Sequence, residues 1–124
     1  MLLLLRITAL IHAVAVFLQP VLAGSYLSGS VGAIQGHGVI GSGLVLVALV
    51  QLLAATIYWR RGGPGWPALA TALIIAAETL QIVMGFNRAF TLHVPLGVGL
   101  LLACTAFAIW TFQPAAQFSR RAAV

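Results

Sequence analysis

Leu92-His93-Val94-Pro95-Leu96-Gly97-Val98-Gly99-Leu100-Leu101-Leu102-Ala103-Cys104-Thr105-Ala106-Phe107-Ala108-Ile109-Trp110-Thr111-Phe112 contains no charged residue and only three that are overtly polar. An uninterrupted apolar run of this length matches the ~20 residues that carry a helix across a ~30 Å hydrocarbon core, whereas a spanning strand would alternate apolar and polar positions. Gly43 to Ile57 has the same character. The chain as a whole is 62% hydrophobic and 6% charged over 124 residues, with a mean hydropathy of +1.13, too apolar to cover itself with a solvated surface. The sequence therefore predicts an all-α, multi-pass membrane protein, with room for one compact bundle and none for an appended soluble domain.

Four spans are expected, at about 2–22, 34–59, 67–86 and 90–112, forming a single integral membrane domain over 1–124. Gly24 to Ser30, Arg60 to Gly65 and Asn87 to Ala89 read as the connecting turns, so neighbouring helices run antiparallel. Tyr58, Trp59, Trp66 and Trp110 fall at span ends, where amphipathic rings favour the interface. Arg6, Arg60, Arg61, Arg120 and Arg121 lie on one side of this four-span arrangement and Arg88 alone on the other. The positive-inside rule then places both termini in the cytoplasm of a bacterial cell, with the bundle in its plasma membrane. The net charge of +5 thus speaks of topology rather than of nucleic acid. Val21-Leu22-Ala23 before Gly24 resembles a leader-peptidase site, but the preceding run is long for a leader and holds Arg6 and His12, so it reads as a retained first helix.

An internal repeat emerges when the turns are aligned. Leu18-Gln19 followed by a turn and His37-Gly38-Val39-Ile40-Gly41 parallels Leu80-Gln81 followed by a turn and His93-Val94-Pro95-Leu96-Gly97. Two repeated helix hairpins of this kind predict a pseudo-two-fold axis along the membrane normal, with His37 and His93 equivalent about it, at one depth and facing one compartment. Two such imidazoles suit the axial positions of one iron protoporphyrin, haem b, inside a four-helix bundle, and that ligand set needs neither cysteine nor carboxylate. Gly41 and Gly97, one turn along from each histidine, would leave bare backbone where a porphyrin lies close. Arg88, just before His93, is placed to pair with haem propionates, or else serves as an interfacial anchor.

His12 and Glu78 fall deep inside their spans, where ionisable groups face the bundle interior and find partners. With Gln19 and Gln81 they predict a polar seam between the first and third helices, read either as a proton-handling pair or quinone-type pocket, or as structural glue. Gln51 extends it on the second helix. Cys104, the single cysteine, reads as a small packing residue.

The four-helix plan, with haem-ligand-like histidines His37 and His93 at matching ends of helices 2 and 4, resembles one half of the haem A synthase family, whose members fuse two such units. The resemblance implies that both histidines are axial haem ligands. The family's Glu-x-x-His-Arg signature has no counterpart, since Ile34 precedes His37 by three and Gly38 follows it, and the paired outer-loop cysteines are absent. What carries over is haem binding, serving electron transfer or haem handling, rather than synthase chemistry. No nucleophile–base pairing or phosphate loop points to catalysis. Two other classes compete: a cofactor-free packing subunit of a larger membrane complex, and a small metal or ion transporter. Expected partners are the lipid bilayer, a second copy or a respiratory-type complex, and a quinone, with no nucleic acid.

Overall fold

The computed structural model describes residues 1–117; Arg120 and Arg121 lie outside them. Four helices account for most of the described residues: α1 (Leu2–Leu27), α2 (Ala33–Arg60), α3 (Trp66–Phe86) and α4 (Phe90–Phe112), followed by one 3-10 turn at Pro114–Ala116. All four are long and apolar enough to cross a membrane. Three begin and end within a residue of the expected bounds. The first does not: it continues from 22 to Leu27 through a segment expected to be loop. Pro20 removes one backbone donor without ending the helix, and Ser25 Oγ donates to the Val21 carbonyl, 2.8 Å away. In apolar surroundings a helix that can satisfy its own backbone gains by continuing.

The first three helices stop in the same way. At the end of α1, Gly29 takes φ +101°, its N–H donates to Tyr26 O, and Ser30 N–H reaches back to Ser25 O. Gly62 repeats this at the end of α2 with φ +100°. At the end of α3 the left-handed position is occupied by Arg88, φ 56°, with Arg88 N–H donating to Gly85 O and Ala89 N–H to Met84 O. All three are Schellman caps, which favour glycine at that position because a Cβ is strained there.

α1 and α3 each pack against α2 and α4, so the bundle is a square with α1 diagonal to α3 and α2 diagonal to α4. Side chains on diagonal helices meet only along the central axis. The end carrying the α1–α2 and α3–α4 turns is termed upper here; α1 starts at the lower end. Leu5, Ala9, Ala54, Ala55, Tyr58, Phe107 and Ala108 form an apolar layer in the lower half, and Val16, Leu44, Ile74, Leu100 and Cys104 form another above it. Leu3, Ile11, Val14, Phe17, Leu46, Leu53 and Leu102 point outward and are exposed, while Thr8, His12, Gln51, Thr71, Glu78 and Thr111 are buried. Apolar groups outside and polar groups inside is the distribution that a lipid solvent selects.

Candidate functional site

The axis of the bundle holds two polar layers. The upper one is built on His37 in the first turns of α2 and His93 in the first turn of α4. Their rings face each other across the diagonal with centroids 6.1 Å apart and planes inclined by 57°. Each ring is tied to the helix before it. His37 Nδ1–H donates to the Gln19 backbone carbonyl at 3.1 Å, and His93 Nδ1–H to the Gln81 backbone carbonyl at 3.0 Å. A carbonyl oxygen can only accept, so the proton of each neutral imidazole is held on Nδ1 and each Nε2 presents a lone pair. That is the arrangement by which proteins orient histidine for metal ligation.

Glutamine side chains fill the spaces that Gly41 and Gly97 leave open. A Cβ at Gly41 would stand 3.1 Å from Gln19 Oε1, and one at Gly97 would stand 2.7 Å from Gln81 Nε2. Gln81 Nε2 also donates to the His93 backbone carbonyl at 2.8 Å. Gln19 Nε2 and Gln81 Oε1 are buried with no hydrogen-bond partner among the described residues. Gly85 gives His93 room on the α3 side, where a Cβ would come within 3.1 Å of His93 Cε1. Arg88 is exposed in the turn beside this layer. The chain has a single acidic residue, Glu78, which is already engaged elsewhere, so no carboxylate side chain of this protein is available to Arg88.

The second layer lies below and is held by side-chain contacts across the bundle. His12 Nε2 and Glu78 Oε1 are 2.6 Å apart, with the two side chains 1% and 2% exposed. On the other side of the ring, His12 Nδ1 and Gln51 Oε1 are 3.0 Å apart. Gln51 Nε2 donates to Thr71 Oγ1 at 3.2 Å, and Thr71 Oγ1 donates to the Pro67 carbonyl at 2.8 Å. Cys104 Sγ lies 4.0 Å from His12 Nε2, so all four helices contribute to the layer. Glu78 Oε2 is buried and has no hydrogen-bond partner among the described residues. At the lower end Arg6 Nε donates to Thr111 O at 2.9 Å, its guanidinium lies 5.0 Å from the Phe112 ring centroid, and Tyr58 donates to Ala116 O at 2.9 Å.

The residues singled out from sequence thus fall into two groups. His37, His93, Gln19, Gln81, Gly41 and Gly97 gather in the upper layer with Arg88 at its edge; His12 and Glu78 meet in the lower one. Sequence reasoning treated Gln19 and Gln81 as members of the lower seam, whereas their backbone carbonyls orient the upper histidines. A main-chain acceptor has no residue-type signature, so nothing in the sequence announces that role. The contact of Cys104 with His12 was also missed, because a cysteine in an apolar run looks like any small packing residue. Among the described residues no group of three or more histidine, cysteine or acidic side chains is placed to hold a bare metal ion. A groove of about 480 Å³ lies between α3 and α4, is walled by Trp66, Ile74, Ala77, Leu100, Phe107 and Trp110, and includes neither histidine. Comparison with known protein families, curated proteins and solved structures returns no match to this chain.

Proposed function

We propose that this protein binds haem b between His37 and His93 in a bacterial cytoplasmic membrane, with both termini on the cytoplasmic side, and serves electron transfer or haem handling. The observation that carries this reading is the pairing of the two rings. Two imidazoles that bind one metal from opposite sides through Nε2, with bonds of about 2.0–2.1 Å, have centroids roughly 6 Å apart; the separation here is 6.1 Å, with both Nε2 atoms free to ligate. Two donors are too few for a bare divalent ion, which takes four or more, but they complete the coordination of an iron that brings four ring nitrogens of its own. Bound there, haem supplies reversible one-electron chemistry.

This chain's own residues would do the rest. Gln19 and Gln81 hold the imidazoles by their carbonyls and set the tautomer. The unpartnered amide atoms Gln19 Nε2 and Gln81 Oε1 sit one helical turn from the ligand pair, as polar groups able to contact a bound macrocycle. Arg88, without an acidic partner in the chain, offers a guanidinium to the propionates. The parallel bonds Gln19 to His37 and Gln81 to His93 support a duplicated hairpin as the source of the site.

Absorption spectroscopy of the purified protein tests the proposal. A Soret band that sharpens and shifts on dithionite reduction, with the low-spin six-coordinate pattern lost in both His37→Ala and His93→Ala, is the expected result. Colourless protein that takes up no haem on reconstitution would overturn it; stoichiometric co-purification with other membrane subunits in that state would favour a packing subunit, whose histidines knit helices through the same carbonyl bonds.

A further inference from the structure

The lower layer is more than packing, because the hydrogen-bond directions on the Gln51 side of His12 can be assigned. Thr71 Oγ1 gives its only proton to the Pro67 carbonyl, so the Gln51 atom facing it must be the amide nitrogen, and the Gln51 atom facing His12 must be the oxygen. His12 Nδ1 therefore carries a hydrogen whatever the charge of the ring. One proton remains for the 2.6 Å contact between His12 Nε2 and Glu78 Oε1. On nitrogen it makes an ion pair, on oxygen a neutral pair; the sum of charges is zero in both. The pair can gain a second proton only at the carboxyl, and Glu78 Oε2 is the buried oxygen left without a partner to receive it.

The position of that oxygen matters. Glu78 precedes Gln81 by three residues on one face of α3, about 4.5 Å along the axis, and His12 precedes Gln19 by seven on one face of α1, about 10 Å along it. Glu78 Oε2, Gln81 Oε1 and Gln19 Nε2 are the three buried side-chain polar atoms without partners among the described residues, the first in the lower layer and the other two in the upper one. Buried polar atoms of this kind are normally satisfied by water, which conducts protons. In a hydrocarbon surrounding, charge in one layer is felt strongly in the other.

We propose that the His12–Glu78 pair is an internal proton site coupled to the histidine pair above it: when the group held by His37 and His93 gains one electron from a one-electron carrier, one proton from the aqueous phase is taken up at the Glu78 carboxyl, and oxidation releases both. The electron's negative charge and the added proton compensate each other within the bundle. Among the described residues the other titratable side chain in contact with the pair is Cys104 from α4; α2 contributes the neutral Gln51. This coupling rests on the haem reading above.

Redox titration of the full-length protein in lipid nanodiscs, repeated across pH, decides it. The midpoint potential should fall as pH rises, and redox-induced infrared difference spectra should contain a carboxyl C=O band that shifts in D2O. Glu78→Gln, which keeps a hydrogen-bonding side chain at the position, should abolish the band and flatten the pH slope while leaving the low-spin spectrum in place. A pH-independent midpoint in the wild-type protein, or an unchanged slope in Glu78→Gln, overturns the coupling; the wild-type measurements decide even if the variant does not fold. Should the protein bind no haem, that reading fails by itself, and infrared pH titration of the apoprotein decides the proton site: a titrating carboxyl band that Glu78→Gln removes supports it, and a silent carboxyl region overturns it.

Discussion

The upper and lower polar layers use the same residue types, histidine and glutamine with small neighbours, in opposite ways. In the lower layer side chains bond to side chains: His12 is held by Glu78 on one nitrogen and Gln51 on the other, and nothing on the ring is left over. In the upper layer the imidazoles bond to main chain through Nδ1, one bond each, and the ring centroids stand 6.1 Å apart. The lower layer is nearly sealed, the upper one half-buried. Side chains bonded to one another across helices stabilise the bundle; a layer whose side chains are positioned but not consumed is prepared to receive something.

This difference predicts a double dissociation. His37→Ala and His93→Ala should each eliminate the six-coordinate haem spectrum while costing the fold only about 1 kcal/mol, the worth of one hydrogen bond to a backbone carbonyl. Glu78→Ala should do the reverse: it strands a buried imidazole and should destabilise the bundle by about 3 kcal/mol, with the spectrum of the folded fraction retained. Reversible unfolding in mixed detergent micelles, followed by circular dichroism alongside absorbance, reads both quantities on one sample. If Glu78→Ala unfolds no more easily than His37→Ala, the two layers are not distinct in kind.

Much of the fold was legible because lipid imposes a simple code. The apolar run at 92–112 needed only its length, and the arrangement of polar residues at seven-residue spacing was enough to put His12 and Glu78 on facing sides of α1 and α3. The extent of α1 was not legible: Pro20, Gly24 and Ser25 are breaker residues in water, and only the absence of solvent to satisfy a frayed end lets the helix run through to Leu27. The matched histidines could be found because they repeat, while the carbonyls that orient them could not, since every residue has one.

The glycines sharpen the comparison within the upper layer itself. A methyl group at Gly97 would come within 2.7 Å of Gln81 Nε2, an atom that is already donating to the His93 carbonyl, so the side chain cannot swing away without losing that bond. Gly97→Ala should therefore destabilise by roughly 1–2 kcal/mol and broaden the haem spectrum. Gly41→Ala meets Gln19 Oε1 at 3.1 Å, where a small shift suffices, and should have less than half that effect. Equal responses at the two sites would mean that the halves are more symmetric than their glutamine contacts suggest.

The smallest expected change in stability is the most informative about the site's edge. Gly29 and Gly62 occupy the left-handed cap positions of α1 and α2, but α3 places Arg88 there at φ 56°, a conformation that disfavours any residue with a Cβ by roughly 1–2 kcal/mol. Arg88→Gly should relieve that strain and leave the bundle as stable as the wild type or up to about 1 kcal/mol more so. If the arginine were only an anchor for the turn, nothing else would change. If it holds propionates, the same variant should lose haem faster to an apomyoglobin acceptor despite its firmer fold, and Arg88→Lys should recover part of the loss, because it restores the charge without the two-pronged geometry of a guanidinium. A gain in stability paired with a faster haem loss separates the strain of the turn from the use made of it; unchanged retention in Arg88→Gly would remove Arg88 from the site.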